Sequence, residues 1–301
     1  MDSKDKLASK LFDEKLKEIL FETFQFTIDF LNKHHLRWFA CGGTMLGAVR
    51  HQDIIPWDDD IDVMMPREDY EKLLSLKTEF YSSNYELVSI HDKGYYLTSA
   101  KVFDKRTTIW EVRRYEYLVG VFVDIFPLDR IDLSMEEYKQ QYSVYARTRE
   151  SYQLSLSKFT FSEFIWDLKK RHPNALRSGI KSLFYPSKRS EFCFLELLKV
   201  ERMFCNNVGR FTISPSGAYG TREFFLTEWF EGALIMPFGH LMVNVPIGFH
   251  DYLTVMYGDY LKLPPESQRV SHHGQYYVNL SEALPKEEVK TRIKKNKYYE
   301  V

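Results

Sequence analysis

The sequence predicts an α+β fold, with a mixed β-sheet core, flanking helices and a mostly helical second half. Apolar residues recur at helical spacing over residues 5–35. Short apolar runs bounded by glycine or proline follow between residues 37 and 127, and such runs are typical of strands. Helical spacing returns at residue 134, so the predicted strands are concentrated in the first half of the chain.

The elements of the first half follow in a definite order. The sequence predicts a helix over 5–35, a strand over 37–41, a short helix over 44–50, a strand over 61–65, a helix over 67–80, and strands over 85–90, 95–103 and 120–126. Gly42 and Gly43 lie between the first strand and the short helix, and Pro66 and Pro127 mark the ends of two later strands.

The second half is predicted to begin with helices and to end in turns. Helices are expected over 134–158, 161–171 and 191–208, and the last third is rich in proline-containing turns. From these changes in pattern we divide the chain into four parts, which are residues 1–35, 36–133, 134–235 and 236–301.

The composition narrows the class of protein. The 301 residues are 44% hydrophobic and 16% aromatic, which is ample for a packed core. The formal net charge of −1 gives no reason to expect a nucleic-acid partner. The three cysteines lack metal-ligand spacing and the charged N-terminus does not resemble a secretory signal, so we expect a cytoplasmic protein. Peripheral association with the inner face of a membrane stays open.

The run Asp-Asp-Asp-Ile-Asp at residues 58–62 is the strongest chemical signal in the sequence. If residues 60–64 form a strand, Asp60 and Asp62 share one face, because side chains two apart point to the same side. Their Cα atoms would then lie about 6.6 Å apart, close enough for both carboxylates to bind one Mg²⁺. The alternative is a solvated acidic turn. The Pro-Trp pair before the run and the apolar alternation after it favour the metal site.

A third carboxylate, Asp124, lies in the predicted strand over 120–126. Val123 and Ile125 would face the core, whereas Asp124 would share the other face with Phe122 and Phe126. An acid between two aromatic rings is costly unless it is paired or bound to a metal. The alternative is an aspartate that ends the strand and caps the turn at Pro127.

The glycine turn at residues 41–44 predicts a phosphate-facing backbone. Gly42 and Gly43 let a ligand approach closely, and the free N–H groups at the following helix start favour phosphate. Arg50, about two turns along the helix, is placed to bind phosphate oxygens in a bidentate manner. The alternative for Arg50 is an ordinary cation at a helix C-terminus.

These residues resemble the signature of a known family. Residues 43–50 (Gly-Thr-Met-Leu-Gly-Ala-Val-Arg) and 55–63 (Ile-Pro-Trp-Asp-Asp-Asp-Ile-Asp-Val) closely resemble the signature of the LicD family. That family belongs to the nucleotidyltransferase superfamily and includes bacterial phosphocholine transferases, with the fukutin-related transferases as distant relatives. Residues 122–129 look like its later acidic strand. The resemblance covers about residues 20–130 closely, and 240–273 loosely.

The resemblance implies a nucleotidyltransferase-like catalytic core over 36–133. The N-terminal helix would pack on it, residues 134–235 would form a helical insertion or subdomain, and residues 236–301 would return to the active site. The implied metal ligands and catalytic residues, for Mg²⁺ or Mn²⁺, are Asp60, Asp62 and Asp124. The implied donor-binding residues are Gly42, Gly43, Thr44, Arg50, Lys101 and His272. Lys101 has an exposed strand lysine as its alternative, and Asp58 and Asp59 are expected to be exposed or behind the metal ligands.

The resemblance also implies an activity. The enzyme would move a phospho-alcohol, phosphocholine from CDP-choline above all, onto a hydroxyl of a cell-surface glycan, capsule or teichoic acid precursor, and would release CMP. The acceptor would be a glycan or a lipid-linked glycan. Three alternatives remain, which are a nucleotidyltransferase acting on a small molecule, a transferase for another polyol or sugar phosphate, and a catalytically silent binding protein.

Two further features bear on the substrates. Choline recognition would call for an aromatic cage, and the candidates are Trp57, Trp110, Tyr95, Tyr96, Tyr115 and Tyr117. Residues 158–189 carry eight lysines and arginines against two acids, with aromatic residues interleaved at the start. This stretch is interpreted either as an amphipathic element resting on anionic lipid or glycan, or as a packed helix with a basic solvated face.

Overall fold

The computed structural model describes residues 3–157, 190–205, 208–269 and 274–301. The helices of this part are α1 (Ser3–Lys33), α2 (Gly42–Arg50), α3 (Arg67–Ser75), α4 (Met135–Leu156), α5 (Ser190–Glu201), α6 (Phe249–Tyr257) and α7 (Lys286–Lys294). The strands are β1 (Phe39–Ala40), β2 (Asp62–Pro66), β3 (Tyr85–Val88), β4 (Ala100–Asp104), β5 (Thr108–Trp110), β6 (Phe122–Ile131), β7 (Phe211–Ile213), β8 (Phe224–Leu226), β9 (Ala233–Phe238), β10 (Leu241–Pro246), β11 (Tyr277–Asn279) and β12 (Tyr299–Glu300). The predicted α+β fold is confirmed.

One mixed sheet forms the centre of the molecule. Its strands lie in the order β1, β2, β6, β4 and β3, with β2 and β6 parallel and the other neighbours antiparallel. β7 and β8 extend the sheet from the C-terminal part of β6. The strand β6 is therefore the axis of the sheet, since three different strands pair along its two edges.

β6 continues past Pro127, where the sequence predicted that the strand would end. Along one edge, β4 pairs with β6 only as far as Ile125, and β7 begins to pair at Asp129. Pro127 falls in the gap between the two partners, so its missing N–H costs that edge no ladder hydrogen bond. The alternative in which Asp124 ends the strand and caps a turn is therefore wrong.

β4 begins five residues later than the strand predicted over 95–103. The carbonyl oxygen of Tyr95 accepts a hydrogen bond from the Tyr152 hydroxyl at 2.7 Å, and that of Tyr96 accepts one from the Gln153 amide at 3.2 Å. Side chains of α4 thus satisfy carbonyls that a strand would have paired with a neighbour. The segment consequently leaves the sheet and follows the helix.

The helix α1 packs one apolar face against β4 and β6, as its predicted amphipathic pattern requires. The buried face consists of Leu16, Ile19, Leu20, Phe24, Ile28 and Leu31. Two threonines on this face, Thr23 and Thr27, donate their hydroxyls to the carbonyls four residues earlier, at 2.8 Å each. The buried hydroxyls are thereby satisfied inside the helix.

Residues 134–235 combine helices with strands. α4 begins at a capping box formed by Ser134 and Glu137, and it packs along α5 around a second apolar core. The helix predicted over 191–208 ends at Glu201, and the chain then supplies β7 and β8 to the central sheet. The helix predicted over 161–171 and the basic stretch over 158–189 lie outside the described residues.

A buried ion cluster fastens α5 to the central sheet. Arg67, the first residue of α3, contacts both carboxylate oxygens of Asp129 on β6 at 2.8 Å each. It also donates to Glu201 at the end of α5, at 3.3 Å. Asp129 is 0% exposed, so this cluster lies in the interior of the protein and depends on complete pairing.

The C-terminal part adds two small sheets to the core. β9 and β10 form a two-stranded antiparallel hairpin. β5, β11 and β12 form a three-stranded sheet. α6 follows the hairpin and contacts α2. Among the described helices, none combines the length and apolar character needed to cross a membrane.

Replacing Arg67 with methionine is expected to lower the free energy of unfolding by about 3–5 kcal/mol, because Asp129 and Glu201 stay buried without their cation. Urea unfolding followed by circular dichroism measures this loss. The matched control is Arg147→Met on the exposed face of α4, which should change stability by less than about 0.5 kcal/mol. Equal losses in the two variants would contradict the role given to Arg67.

Candidate active site

Asp62, Asp124 and Lys101 lie side by side across three neighbouring strands. The register pairs Asp62 on β2 with Asp124 on β6, and Asp124 with Lys101 on β4. Registered partners on adjacent strands point to the same face of a sheet. Two residues that the sequence only suggested separately, Asp62 and Asp124, are therefore brought together by the parallel pairing of β2 and β6.

Lys101 neutralises the carboxylates around it. Its Nζ lies 2.9 and 2.8 Å from the two oxygens of Asp124, 3.2 Å from Glu111, and 3.4 Å from the centre of the Phe122 ring. Burial alone would lower the pKa of Lys101, but Asp124 and Glu111 outweigh it and raise that pKa. The side chain is 1% exposed, so the alternative of an exposed strand lysine is wrong.

The ionised form of Asp62 is strongly disfavoured in this site. Burial raises its pKa well above the ordinary value, and the charges of Asp60, Asp124 and Asp58 raise it further. Lys101 opposes these effects but does not reverse them. A divalent cation among these oxygens would favour the ionised form of all of them, which is the situation in which carboxylates bind Mg²⁺.

Asp60 reaches this group from a loop, because β2 begins only at Asp62. The short strand β1 pairs with residues 63 and 64, and among the described strands none continues the ladder back to Asp60. The prediction that Asp60 and Asp62 share a strand face is therefore wrong. Asp60 nevertheless stays close to Asp62, since its charge is the strongest of those that raise the pKa of Asp62.

Asp58, Asp59 and Asp60 form a second, overlapping acidic group. Each offers a carboxylate oxygen, and these oxygens all lie within 4.8 Å of one another. All three side chains are partly buried. The sequence predicted that Asp58 and Asp59 are exposed or lie behind the metal ligands, and the structure places their carboxylates beside that of Asp60 in the same loop.

The glycine turn fits closely against these acids. Gly42 adopts a positive φ of 52°, and a Cβ there would stand 3.1 Å from a carboxylate oxygen of Asp62. A Cβ on Gly43 would collide with the Asp58 carboxylate. The hydroxyl of Thr44 accepts a hydrogen bond from the backbone N–H of Asp62 at 2.8 Å. The start of α2 thus holds the acidic segment in place, and the predicted contact of this turn with phosphate stays a prediction.

Two tyrosines of α6 complete the wall of the site. The hydroxyl of Tyr252 accepts the backbone N–H of Gly42 at 3.2 Å. The hydroxyl of Tyr257 lies 3.8 Å from the position that a Cβ on Gly42 would occupy, and it accepts a hydrogen bond from Tyr219 at 3.4 Å. Arg50 donates to the carbonyl of Tyr260 at 2.8 Å. His272 lies outside the described residues.

Glu223, a buried carboxyl near the tyrosines, was not identified from the sequence. Its side chain accepts the backbone N–H of Tyr219 at 2.8 Å and is packed against Gly217. Burial raises the pKa of Glu223 to about 7, although the Tyr219 N–H and the charge of Arg149 lower it. Its charge also raises the pKa of the buried Tyr252 phenol, so the two groups lie within electrostatic range. Glu223 thus fixes the loop that carries Tyr219.

The oxygen-rich set fits a hard divalent cation. Asp60, Asp62 and Asp124 offer carboxylates, and Asp58 and Asp59 bring further carboxylate oxygens within 4.8 Å of those of Asp60. Such a donor set suits Mg²⁺ or Mn²⁺ better than a softer metal. The burial of Asp62 among other carboxylates, which raises its pKa, is the observation that favours a cation here.

Comparison with known proteins relates the chain to transferases. The sequence profile of the LicD/FKTN/FKRP nucleotidyltransferase domain matches residues 35–167. "Lipopolysaccharide cholinephosphotransferase LicD" of Haemophilus influenzae is 31% identical over 253 residues, which span 81% of this chain and 89% of that protein. The human "Ribitol 5-phosphate transferase FKRP" is 44% identical over 48 residues, which span 16% of this chain and 10% of that protein.

Replacing Lys101 with methionine should lower the free energy of unfolding by about 3–5 kcal/mol, since Asp124 and Glu111 remain buried without their cation. Chemical unfolding in metal-free buffer measures the change. Lys139→Met on the exposed face of α4 is the matched control. Adding Asp124→Asn to Lys101→Met should recover part of the loss, and no recovery would contradict the pairing.

Glu223 should make stability depend on pH. Folding raises the pKa of Glu223 from 4.5 to about 7, so the folded state holds this proton more tightly than the unfolded state. The wild type therefore loses unfolding free energy as the pH rises from 4.5 to 7, by on the order of 3 kcal/mol. Glu223→Gln should lack this loss, whereas Glu228→Gln, at an exposed site, should keep it. Parallel pH profiles for wild type and Glu223→Gln would rule the effect out.

Proposed function

The chain belongs to the LicD family of phospho-alcohol transferases, and from this we propose that it transfers phosphocholine from CDP-choline to a hydroxyl of a cell-surface glycan precursor. The relative from Haemophilus influenzae, aligned over 89% of its length, is named a lipopolysaccharide cholinephosphotransferase. That name supports phosphocholine as the group transferred. We further propose that the protein works in the cytoplasm and takes a glycan or lipid-linked glycan as its acceptor.

The observation that carries the proposal is the registered row of Asp62, Asp124 and Lys101 beside the glycine turn. A diphosphate donor brings negative charge to a place where two carboxylates already lie opposite each other. Such a substrate binds there only with a cation between them. The row is thus suited to phosphoryl chemistry assisted by a metal, and unsuited to binding a diphosphate without one.

Asp60, Asp62 and Asp124 would hold Mg²⁺ or Mn²⁺. When bound, the metal supplies neutralisation of charge on the diphosphate and on the departing CMP. Lys101 pairs with Asp124 and fixes its orientation through two hydrogen bonds. The start of α2 fixes the backbone of Asp62 through Thr44. These contacts position the carboxylates before the substrate arrives, which is the main contribution that a protein makes to phosphoryl transfer.

The transfer forms one bond and breaks one. An acceptor hydroxyl oxygen attacks the phosphorus that carries choline, and the bond from that phosphorus to the oxygen of CMP breaks. The hydroxyl proton passes to a carboxylate of the site or to water, and CMP departs with the electron pair of the broken bond. A positioned carboxylate contributes to this step by orienting the hydroxyl and accepting its proton.

A related donor is the second candidate. The human relative is named a ribitol 5-phosphate transferase, and its 48 aligned residues are 44% identical to this chain. The aromatic residues considered for a choline cage also fill the core: Tyr95, Tyr96 and Trp110 are buried, and Tyr96 stacks on Tyr115 with ring centres 4.2 Å apart. A polyol phosphate donor would need no such cage.

Incubation with CDP-choline, CDP-ribitol and CDP-glycerol in the presence of Mg²⁺ tests the proposal. We expect release of CMP from CDP-choline, with activity lower by about a hundredfold or more in Asp62→Asn and in Asp124→Asn. Asp251→Asn on the exposed side of α6 is the control and should retain activity. Circular dichroism would show that each variant is folded.

The products separate the alternatives. Release of CMP from CDP-ribitol or CDP-glycerol, without release from CDP-choline, would indicate that the transferred group is a polyol phosphate and not phosphocholine. Pyrophosphate with a nucleotidylated acceptor, when the enzyme is given nucleoside triphosphates, would indicate a nucleotidyltransferase. Full activity in both aspartate variants would overturn the assignment of the site.

A further inference from the structure

Two guanidinium groups lie close together beside Trp57. Arg50, the last residue of α2, donates from Nη1 to the carbonyl oxygen of Tyr260 at 2.8 Å. Arg269 donates from Nε to the carbonyl oxygen of Pro264 at 2.9 Å, and its guanidinium carbon lies 5.6 Å from the centre of the Trp57 ring. Arg50 also donates from Nε to Nδ1 of His51 at 3.4 Å. Among the described residues, the remaining N–H groups of the two guanidiniums are left for a ligand.

The charge of this pair is not compensated by the residues around it. Within the described part of the chain, neither Arg50 nor Arg269 forms an ion pair with a carboxylate. Four other arginines in that part each do so: Arg37, Arg67, Arg106 and Arg292. Burial lowers the pKa of Arg50; the phenol of Tyr257 opposes this, and the like charge of Arg269 lowers it further. Two cations held in mutual repulsion favour binding of an anion.

The pair lies on the same side of the fold as the acidic residues. Tyr257 joins the two regions, because its hydroxyl lies beside Gly42 and its phenol also acts on Arg50. Along α2, Gly42 and Arg50 are separated by a rise of about 12 Å, at 1.5 Å per residue. Trp57 directly precedes the acidic run in sequence. One ligand of nucleotide size can therefore extend from the acids to the arginines.

We infer that Arg50 and Arg269 bind the phosphate of the departing nucleotide, a nucleoside 5′-monophosphate dianion, and that Trp57 positions Arg269 for this contact. The identity of the nucleotide as CMP rests on the proposed function. Two guanidiniums are well suited to a phosphate dianion, since each presents a planar set of donors to its oxygens. Arg269 and Trp57 thereby join Arg50 in a subsite on the leaving-group side of the reaction.

Calorimetric titration of CMP into the whole protein, without acceptor, tests this subsite. Arg269→Gln should weaken CMP binding by about tenfold or more, and Arg269→Lys should recover part of the affinity. Arg210→Gln is a matched control, because Arg210 is exposed and also lies over an aromatic ring, at 4.6 Å from the centre of Phe211. The control variant should bind CMP as the wild type does.

Ligand-free stability distinguishes binding from a structural role. Removing Arg269 relieves a repulsion, so Arg269→Gln should melt at the same temperature as the wild type or higher. Inorganic phosphate should compete with CMP, whereas cytidine should not. Unchanged CMP affinity in Arg269→Gln would overturn the inference, as would a fall in melting temperature that accounts for the lost affinity. Weakened CMP binding in a protein that does not use CDP-choline would leave the subsite standing and remove only the proposed donor.

Discussion

Repulsion between Asp62 and Asp124 is the constraint on which the rest of the site depends. The parallel pairing of β2 and β6 sets these carboxylates directly opposite each other in a partly closed environment. Lys101 compensates Asp124 from the next strand, at a distance of 2.8 Å. Burial and the acidic neighbours of Asp62 raise its pKa, and Lys101 only partly opposes them. The described residues therefore hold one neutralised acid and one that is short of a cation, and this imbalance is the reason to propose a metal at the site.

β6 carries two ionic centres that differ in purpose. Asp124 and Asp129 are five residues apart, and an odd separation places them on opposite faces of a strand. Asp129 is fully buried and both its oxygens accept hydrogen bonds from Arg67, so its charge is neutralised inside the protein. Asp124 is 9% exposed and shares its face with an uncompensated neighbour. The sealed pair, together with Glu201, fastens α5 to the sheet, whereas the pair of Asp124 and Lys101 lies beside Asp62.

The sequence supported the ingredients of the site better than their arrangement. The alternation of side chains along a strand places Asp124 on the face opposite to Val123 and Ile125, and this pattern can be read from the local sequence. The pairing of Asp62 with Asp124 depends on a register between distant strands, which no local pattern contains. The shared face of Asp60 and Asp62 depended on a strand over 60–64, whereas β2 begins only at Asp62.

The surroundings of several other residues could not be predicted from local sequence patterns, because they form only in the folded protein. Lys101 resembles any lysine on an exposed strand face until β6 supplies its carboxylate. Pro127 looked like a strand end, because the gap between β4 and β7 exists only in the folded sheet. Glu223 follows a turn and belongs to no periodic segment, so its burial comes entirely from the packing of Gly217 and the surrounding loop.

The site has opposite charge at the two ends of α2. Carboxylates lie at the N-terminus of the helix, and Arg50 lies at its C-terminus. This placement agrees with the helix dipole, but that effect is worth only about 0.3–1 kcal/mol per charge, so tertiary contacts must hold the groups in position. An anionic donor therefore meets two different surroundings. On the proposed function, a phosphate beside the acids needs a cation before it can bind, whereas a phosphate beside the arginines needs none. Binding of CMP and dependence on a metal are then separate properties that can be measured independently.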